Sequence, residues 1–105
     1  MTLTIKPAED KTAEALAARG ARIKAECKRR IYAAASAEAQ MNIIGAQAAG
    51  QFDAPQQAAY AASVQWIADM RAACAAIVAD PALDERNDAN WPPCPSEVAA
   101  LADAF

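Results

Sequence analysis

Over residues 7–49, small and apolar side chains recur at steps of four and three: Leu16, Gly20, Ile23, Cys27, Ile31, Ala34, Met41, Gly45 and Ala48. Glu38 is the one charged member of the series. This spacing holds a single stripe on one helical face and is close to the seven-residue repeat of helices packed side by side. It predicts a first helix over 7–49. Pro7 fits the first turn, where its missing N–H costs nothing, and Glu9 and Asp10 follow near the positive end of the helix dipole. Gly20 and Gly45 each cost about 1 kcal/mol relative to alanine, so the pattern allows a break or kink at either. Glu38 needs a partner or a local exit to water.

Gly50 suits the left-handed residue that closes a helix, and Gln51 to Asp53 read as a turn. Asp53 with Gln56 reads as a capping box, with Pro55 inside the first turn, and opens a second helix over 54–79. Its apolar face is Ala59, Ser63, Trp66, Ile67, Met70, Cys74, Ile77 and Val78. Asp80-Pro81 stops it. With so short a turn, the two helices are expected to fold back as an antiparallel hairpin.

The remaining segments are short. Residues 1–6 read as an extended arm. Residues 80–95 form a loop whose polar part, Leu83 to Asn90, is expected to be mobile. The following Trp91-Pro92-Pro93-Cys94-Pro95 takes an extended, polyproline-like path. Ser96 can cap a last helix within 96–105 that carries Val98, Leu101 and Phe105. The fold class expected is all-α: one domain over 1–105, built as a long antiparallel helical hairpin with a Pro-rich C-terminal loop and a short terminal helix.

Length then points to a surface. At about 1.5 Å per residue the first helix spans some 60 Å and the second about 40 Å, so an unbroken first helix outruns its partner. Leu16 and Ile23 are then uncovered unless the C-terminal tail folds back over them. The favoured cover is a second copy or another protein. Trp91 is either an anchor pinning the tail to the hairpin or a docking residue, since tryptophan is enriched among interface anchors. The candidate partner-binding residues are Leu16, Arg19, Ile23, Trp91, Pro92 and Pro95.

Composition narrows the chemistry. Roughly three residues in ten are alanine, which inflates the 55% hydrophobic content and leaves few bulky side chains to form a core. Residues 1–50 hold eight Lys/Arg against five Asp/Glu, and residues 51–105 hold two against eight. The halves, at +3 and −6, are expected to attract each other within a chain or between copies. The basic cluster Arg19, Arg22, Lys24, Lys28, Arg29 and Arg30 reads as a solvated or acid-matched face rather than a nucleic-acid site, given a pI near 4.8. Cys27, Cys74 and Cys94 follow no zinc spacing, and the first two read as free cysteines on apolar faces, against a Cys27–Cys74 disulfide. There is no histidine and no glycine-rich phosphate loop. No catalytic, metal or cofactor-binding residue is assigned, and an enzyme is not expected. The N-terminus does not read as a signal peptide and no run is long enough for a membrane span, so a soluble protein made in the cytoplasm is expected.

The order Arg29-Arg30-Ile31, Gln40-Met41-Asn42, Trp66 and Arg71, then Asn90-Trp91-Pro92-Pro93-Cys94-Pro95, resembles small proteins encoded in tail-fibre modules of tailed bacteriophages. It is also similar to short helical proteins of gene-transfer-agent-like particles. In that group a helical hairpin with a tryptophan and an arginine on its second arm precedes a loop with a Trp-Pro-x-x-Pro-like ending. The resemblance covers roughly residues 19–98. Trp91, Pro92 and Pro95 match the ending, and Trp66 and Arg71 match the helix. The resemblance implies a non-enzymatic component of a fibre, spike or tail appendage, made in the bacterial cytoplasm and carried in the virion. Its partners would be further copies of itself, or a fibre, spike or capsid protein. An assembly chaperone absent from the finished particle is the second expectation. The lack of the longer N-terminal region of such chaperones favours the structural part. A small inhibitor or regulator of a host protein is the third.

Overall fold

The computed structural model describes residues 8–105, with side chains from Lys11 onward. The arm expected over 1–6 and the start at Pro7 lie outside the described residues. The described chain is all-helical: α1 (Ala8–Ala34), α2 (Ala37–Ala48), α3 (Ala54–Ala79) and α4 (Ser96–Ala104), with one turn of 3₁₀ helix at Asp88–Asn90. Helix α3 returns along α1, and α4 packs across α3, α2 and α1. The radius of gyration is 18.7 Å, against about 13 Å for a compact chain of this length, so the molecule is elongated.

The first correction concerns the single helix expected over 7–49. It runs unbroken through Gly20 and Gly45 but divides at Ala35–Ser36. Ser36 takes an extended conformation and its hydroxyl accepts a hydrogen bond from Ala39 N at 3.0 Å, capping α2. Gln40 Nε2 donates to Ala35 O at 2.8 Å, satisfying a carbonyl left free where α1 ends. The break also rotates the apolar face. In α1 the stripe holds, with Ile23 and Cys27 buried and Ile31 and Ala34 half-buried. In α2 the buried residues are Ala39, Ile43 and Ala46, while Glu38, Met41, Gly45 and Ala48 turn outward. Glu38 thereby reaches water.

Local signals placed the other boundaries. Gly50 has φ 67°, and Gly50 N and Gln51 N donate to Gln47 O and Ala46 O, the two bonds of a Schellman closure. Asp53 and Gln56 cap each other reciprocally at 2.9 Å. Helix α4 begins one residue earlier than expected. Pro95 stands at its N-cap and Ser96 makes no cap, because the fixed φ of proline already sets the entry to the helix.

Two apolar clusters hold the chain together. Ile23, Cys27, Trp66, Met70, Ile77, Trp91 and Val98 form the first, with Leu83 against its edge. Ile43, Ala46, Phe52, Ala59 and Leu101 form the second, where Phe105 meets Phe52 edge-on at 5.6 Å. Helix α4 joins them, since Val98 lies in one and Leu101 in the other. Ile23, expected to be open to a partner, instead lies in this core with Trp91 and Val98 of the tail and has no exposed surface. The loop is not free either. Asp80, Asp84 and Asn87 side chains each accept from a backbone N–H two residues on, and Asn90 Nδ2 donates to Asp84 O.

Arg19 locks the end of the hairpin. Its guanidinium donates to Ile77 O (2.8 Å), Leu83 O (2.9 Å), Asp80 O (3.0 Å) and Val78 O (3.1 Å), the carbonyls where α3 ends and the loop begins. A cation here complements the negative end of α3 and gives its last carbonyls a charged donor, Ile77 O and Asp80 O sharing it with the backbone N–H groups of Asp80 and Leu83. Arg19→Ala is expected to lower the unfolding free energy by about 2 kcal/mol, read from the urea midpoint, with Arg19→Lys recovering only part because a point ammonium cannot span four carbonyls. At Gly20 and Gly45 an added Cβ meets nothing within 4 Å and φ is negative, so each Gly→Ala change is expected to raise stability by about 0.5–1 kcal/mol. Gly50→Ala is expected to lower it.

Candidate interaction groove

Where α2 swings away from the line of α1, a groove opens between α1, α2, α3 and α4. Its apolar half, about 120 Å³, is lined by residues that include Ile31, Ile43, Ile44, Tyr60, Val64, Ile67, Val98 and Leu101. Its other half, about 400 Å³, is lined by Lys24, Cys27, Lys28, Ile31, Tyr32, Gln40, Ile67, Arg71 and Cys74. The halves share Ile31, Gln40 and Ile67 and so run into one another. Ile44 is 60% exposed and Val64 54%, and Met41 beside them on α2 is 72% exposed. Bulky apolar side chains this open are costly to leave in water: covering one fully is worth about 1.5–3 kcal/mol.

The electrostatics of the groove are one-sided. Lys24 and Lys28 stand one turn apart on α1 and Arg71 faces them from α3, with no carboxylate in the lining. Among the described residues none of the three is in an ion pair. Lys28 Nζ lies 5.7 Å from the centre of the Tyr32 ring. Beneath them the Cys27 thiol donates to Met70 O at 3.7 Å. Burial, and then the neighbouring Cys74 thiol, push the Cys27 pKa up, so it rests as a neutral thiol. The arrangement suits a carboxylate at one end and apolar side chains at the other.

A second concavity, about 670 Å³, lies between α1 and the tail and includes Arg29, Arg30, Trp66, Asp88, Trp91 and Cys94 in its wall. Its charges are already matched. Glu26 accepts from Arg29 and from Arg30 Nε (3.0 Å), and Arg30 also reaches Asp88 at 2.8 Å while its guanidinium sits 5.5 Å from the centre of the Trp91 ring. The hydrogen bond from Arg29, aided by Arg30, holds the Glu26 carboxyl at about 2, well below its ordinary 4.5, against the raising effect of burial. Burial, then the charge of Glu97, raises the Cys94 thiol. This network ties the loop to α1 and leaves little unpaired charge to attract a ligand.

No family model, curated protein or solved structure significantly matches this chain. Among the described residues no helix is long and apolar enough to cross a membrane, and no three His, Cys, Asp or Glu side chains gather as a metal site.

The residues expected from sequence to bind a partner fall mostly inside the molecule. Ile23 and Trp91 are core, and Trp91 Nε1 donates to Glu85 O at 2.8 Å, the anchoring role. Pro92 is half-buried and its carbonyl accepts from Trp66 Nε1 at 3.1 Å. Pro95 carbonyl starts α4, and Arg19 caps α3. Leu16 alone stands out, 61% exposed. Arg19 lies level with the last turn of α3, so the part of α1 before it extends about 16 Å further. The structure brings Arg19, Ile23, Trp91 and Pro92 to the inner seam, not to an outer face. The groove residues Lys24, Tyr32, Ile44, Val64 and Arg71 were missed as a site. The available signal was that Tyr32, Ile44, Tyr60 and Val64 are bulky side chains belonging to neither stripe.

Glu26 carries a pH signature. Because its folded pKa is depressed, its contribution to stability is complete above about 4.5 and is lost as pH falls toward about 2. Glu26→Gln is expected to be less stable than the parent at pH 6, with the gap closing between pH 4.5 and 2 in urea titrations. A gap of constant size across that range counts against the ion-pair account.

Proposed function

We propose that the protein is a non-enzymatic structural component of a phage or phage-like particle, in its fibre, spike or tail appendage, and that it works through protein–protein contacts. The observation that carries the contact role is the groove, apolar at one end and cationic at the other, with open Ile44 and Val64 and three cations that are in no ion pair among the described residues. An exposed apolar patch rimmed by charge is the usual form of a protein-binding surface. The segment it suits is amphipathic, with carboxylates opposite Lys24, Lys28 and Arg71 and apolar side chains opposite Ile44 and Val64. A fibre, spike or capsid protein would supply it. The particle setting rests on the resemblance carried by Trp66, Arg71 and the Trp91 to Pro95 ending. The projecting end of α1 with Leu16 is the part available for association with further copies.

The test uses purified, washed particles analysed by mass spectrometry, with the parent protein or the double variant Ile44→Glu/Val64→Glu. Both positions are exposed, so the variant is expected to melt within about 3 °C of the parent. Its incorporation is expected to fall at least about tenfold, the equivalent of 1.4 kcal/mol of binding. Protein abundant in the cell but absent from particles would move the reading to an assembly chaperone. Absence together with a specific host-protein complex would move it to an inhibitor.

A further inference from the structure

We propose that Cys27 and Cys74 form a modification site, a cross-helix dithiol that a small anionic disulfide oxidises to a covalent bond between α1 and α3. The two residues line the same cavity wall from opposite helices. The Cys27 sulfur donates to Met70 O at 3.7 Å, and Met70 lies one turn before Cys74 on α3. Cys27 therefore rests against the turn that leads into Cys74, and both side chains face the same cavity. Both are free in the structure. Cys94 lines the other concavity, beside the negative charge of Glu97, and takes no part.

The roles of the pair differ. Cys74 is half-exposed and Cys27 is buried, so a reagent entering the open cavity meets Cys74 first. Lys24, Lys28 and Arg71 line that cavity without a carboxylate. Their field raises the local concentration of an anionic reagent. The Cys74 thiolate attacks one sulfur of the disulfide RSSR. A Cys74–SR bond forms, the reagent's S–S bond breaks, and RS⁻ leaves. Cys27 gives its proton to that leaving thiolate and attacks the Cys74 sulfur, displacing the second RS⁻, which takes up a proton from solvent. Overall, two protein thiols and one RSSR become one protein disulfide and two RSH. The new bond closes the chain from 27 to 74 and staples α1 to α3, which restricts the unfolded chain.

This proposal stands on the two thiols and not on what the groove binds, so it is tested on the purified protein alone. The Cys94→Ser protein is treated with oxidised glutathione at low salt, then digested with trypsin. The expected product has lost two hydrogen atoms in mass and joins peptide Ala25–Lys28 to Ala72–Arg86. Its melting temperature is expected to rise by about 10 °C and to return on reduction. Cys27→Ser in the same background is expected to stop at a glutathione adduct on Cys74. Oxidised glutathione is expected to react about tenfold faster than the cationic disulfide cystamine, with the difference shrinking in about 0.5 M salt. A stable glutathione adduct on Cys74 when Cys27 is present, or no reaction while the protein stays folded, overturns the site. Equal rates for the two reagents overturn the preference for an anionic one.

Discussion

Two indole rings decide how this chain folds. Helices rich in alanine bury little area per side chain, so the seam between α1 and α3 cannot by itself supply a core. Trp66 from the hairpin and Trp91 from the tail fill it together, around Ile23, Met70 and Ile77. Each indole N–H finds a loop carbonyl, Pro92 O for Trp66 and Glu85 O for Trp91. Both rings are therefore buried without stranding a polar group, and each holds the loop at a different point. The tail is part of the core, and the hairpin depends on it.

The uneven charge along the sequence is put to the same use. Arg22 lies 3.7 Å from Glu85, Arg30 reaches Asp88, and Arg19 fills the carbonyls at the end of α3. The basic first half and the acidic second half meet along one side of α1, where they fix the loop. On the other side Lys24 and Lys28, with Arg71 of α3 facing them, are in no ion pair among the described residues. The contrast between satisfied and unsatisfied cations separates the face of α1 that holds the loop from the face that lines the groove.

The groove follows from the break at Ser36. Had the helix continued, Met41 and Gly45 would have faced α3 along the α1 stripe. Re-phasing instead buries Ala39, Ile43 and Ala46 and turns Ile44 outward beside Val64. A small shift of register thus converts a helix that would have closed on its neighbour into one wall of an open surface. The Ser36 N-cap that makes this break lies inside a continuous run of good helix formers, and nothing local forbids a helix through the stretch.

Legible in local pattern were the helical class, the turn at Gly50–Asp53, the capping box, the stop at Asp80-Pro81 and most of the inward faces of α1 and α3, from which Leu16 and Val78 depart by standing exposed where their helices outrun the packing. Each depends on residues within a few positions of one another, through a φ that glycine permits, an N–H that proline lacks, or a repeat matched to the helical turn. Long-range packing settles that Trp91 enters the core with Ile23 while Leu83 packs at its edge, that Arg19 serves the end of α3, and that α2 rotates to leave Ile44 and Val64 open. Those outcomes join residues far apart in the chain. They turn on which bulky side chains fill a shared volume and which charges meet, and no local pattern records either.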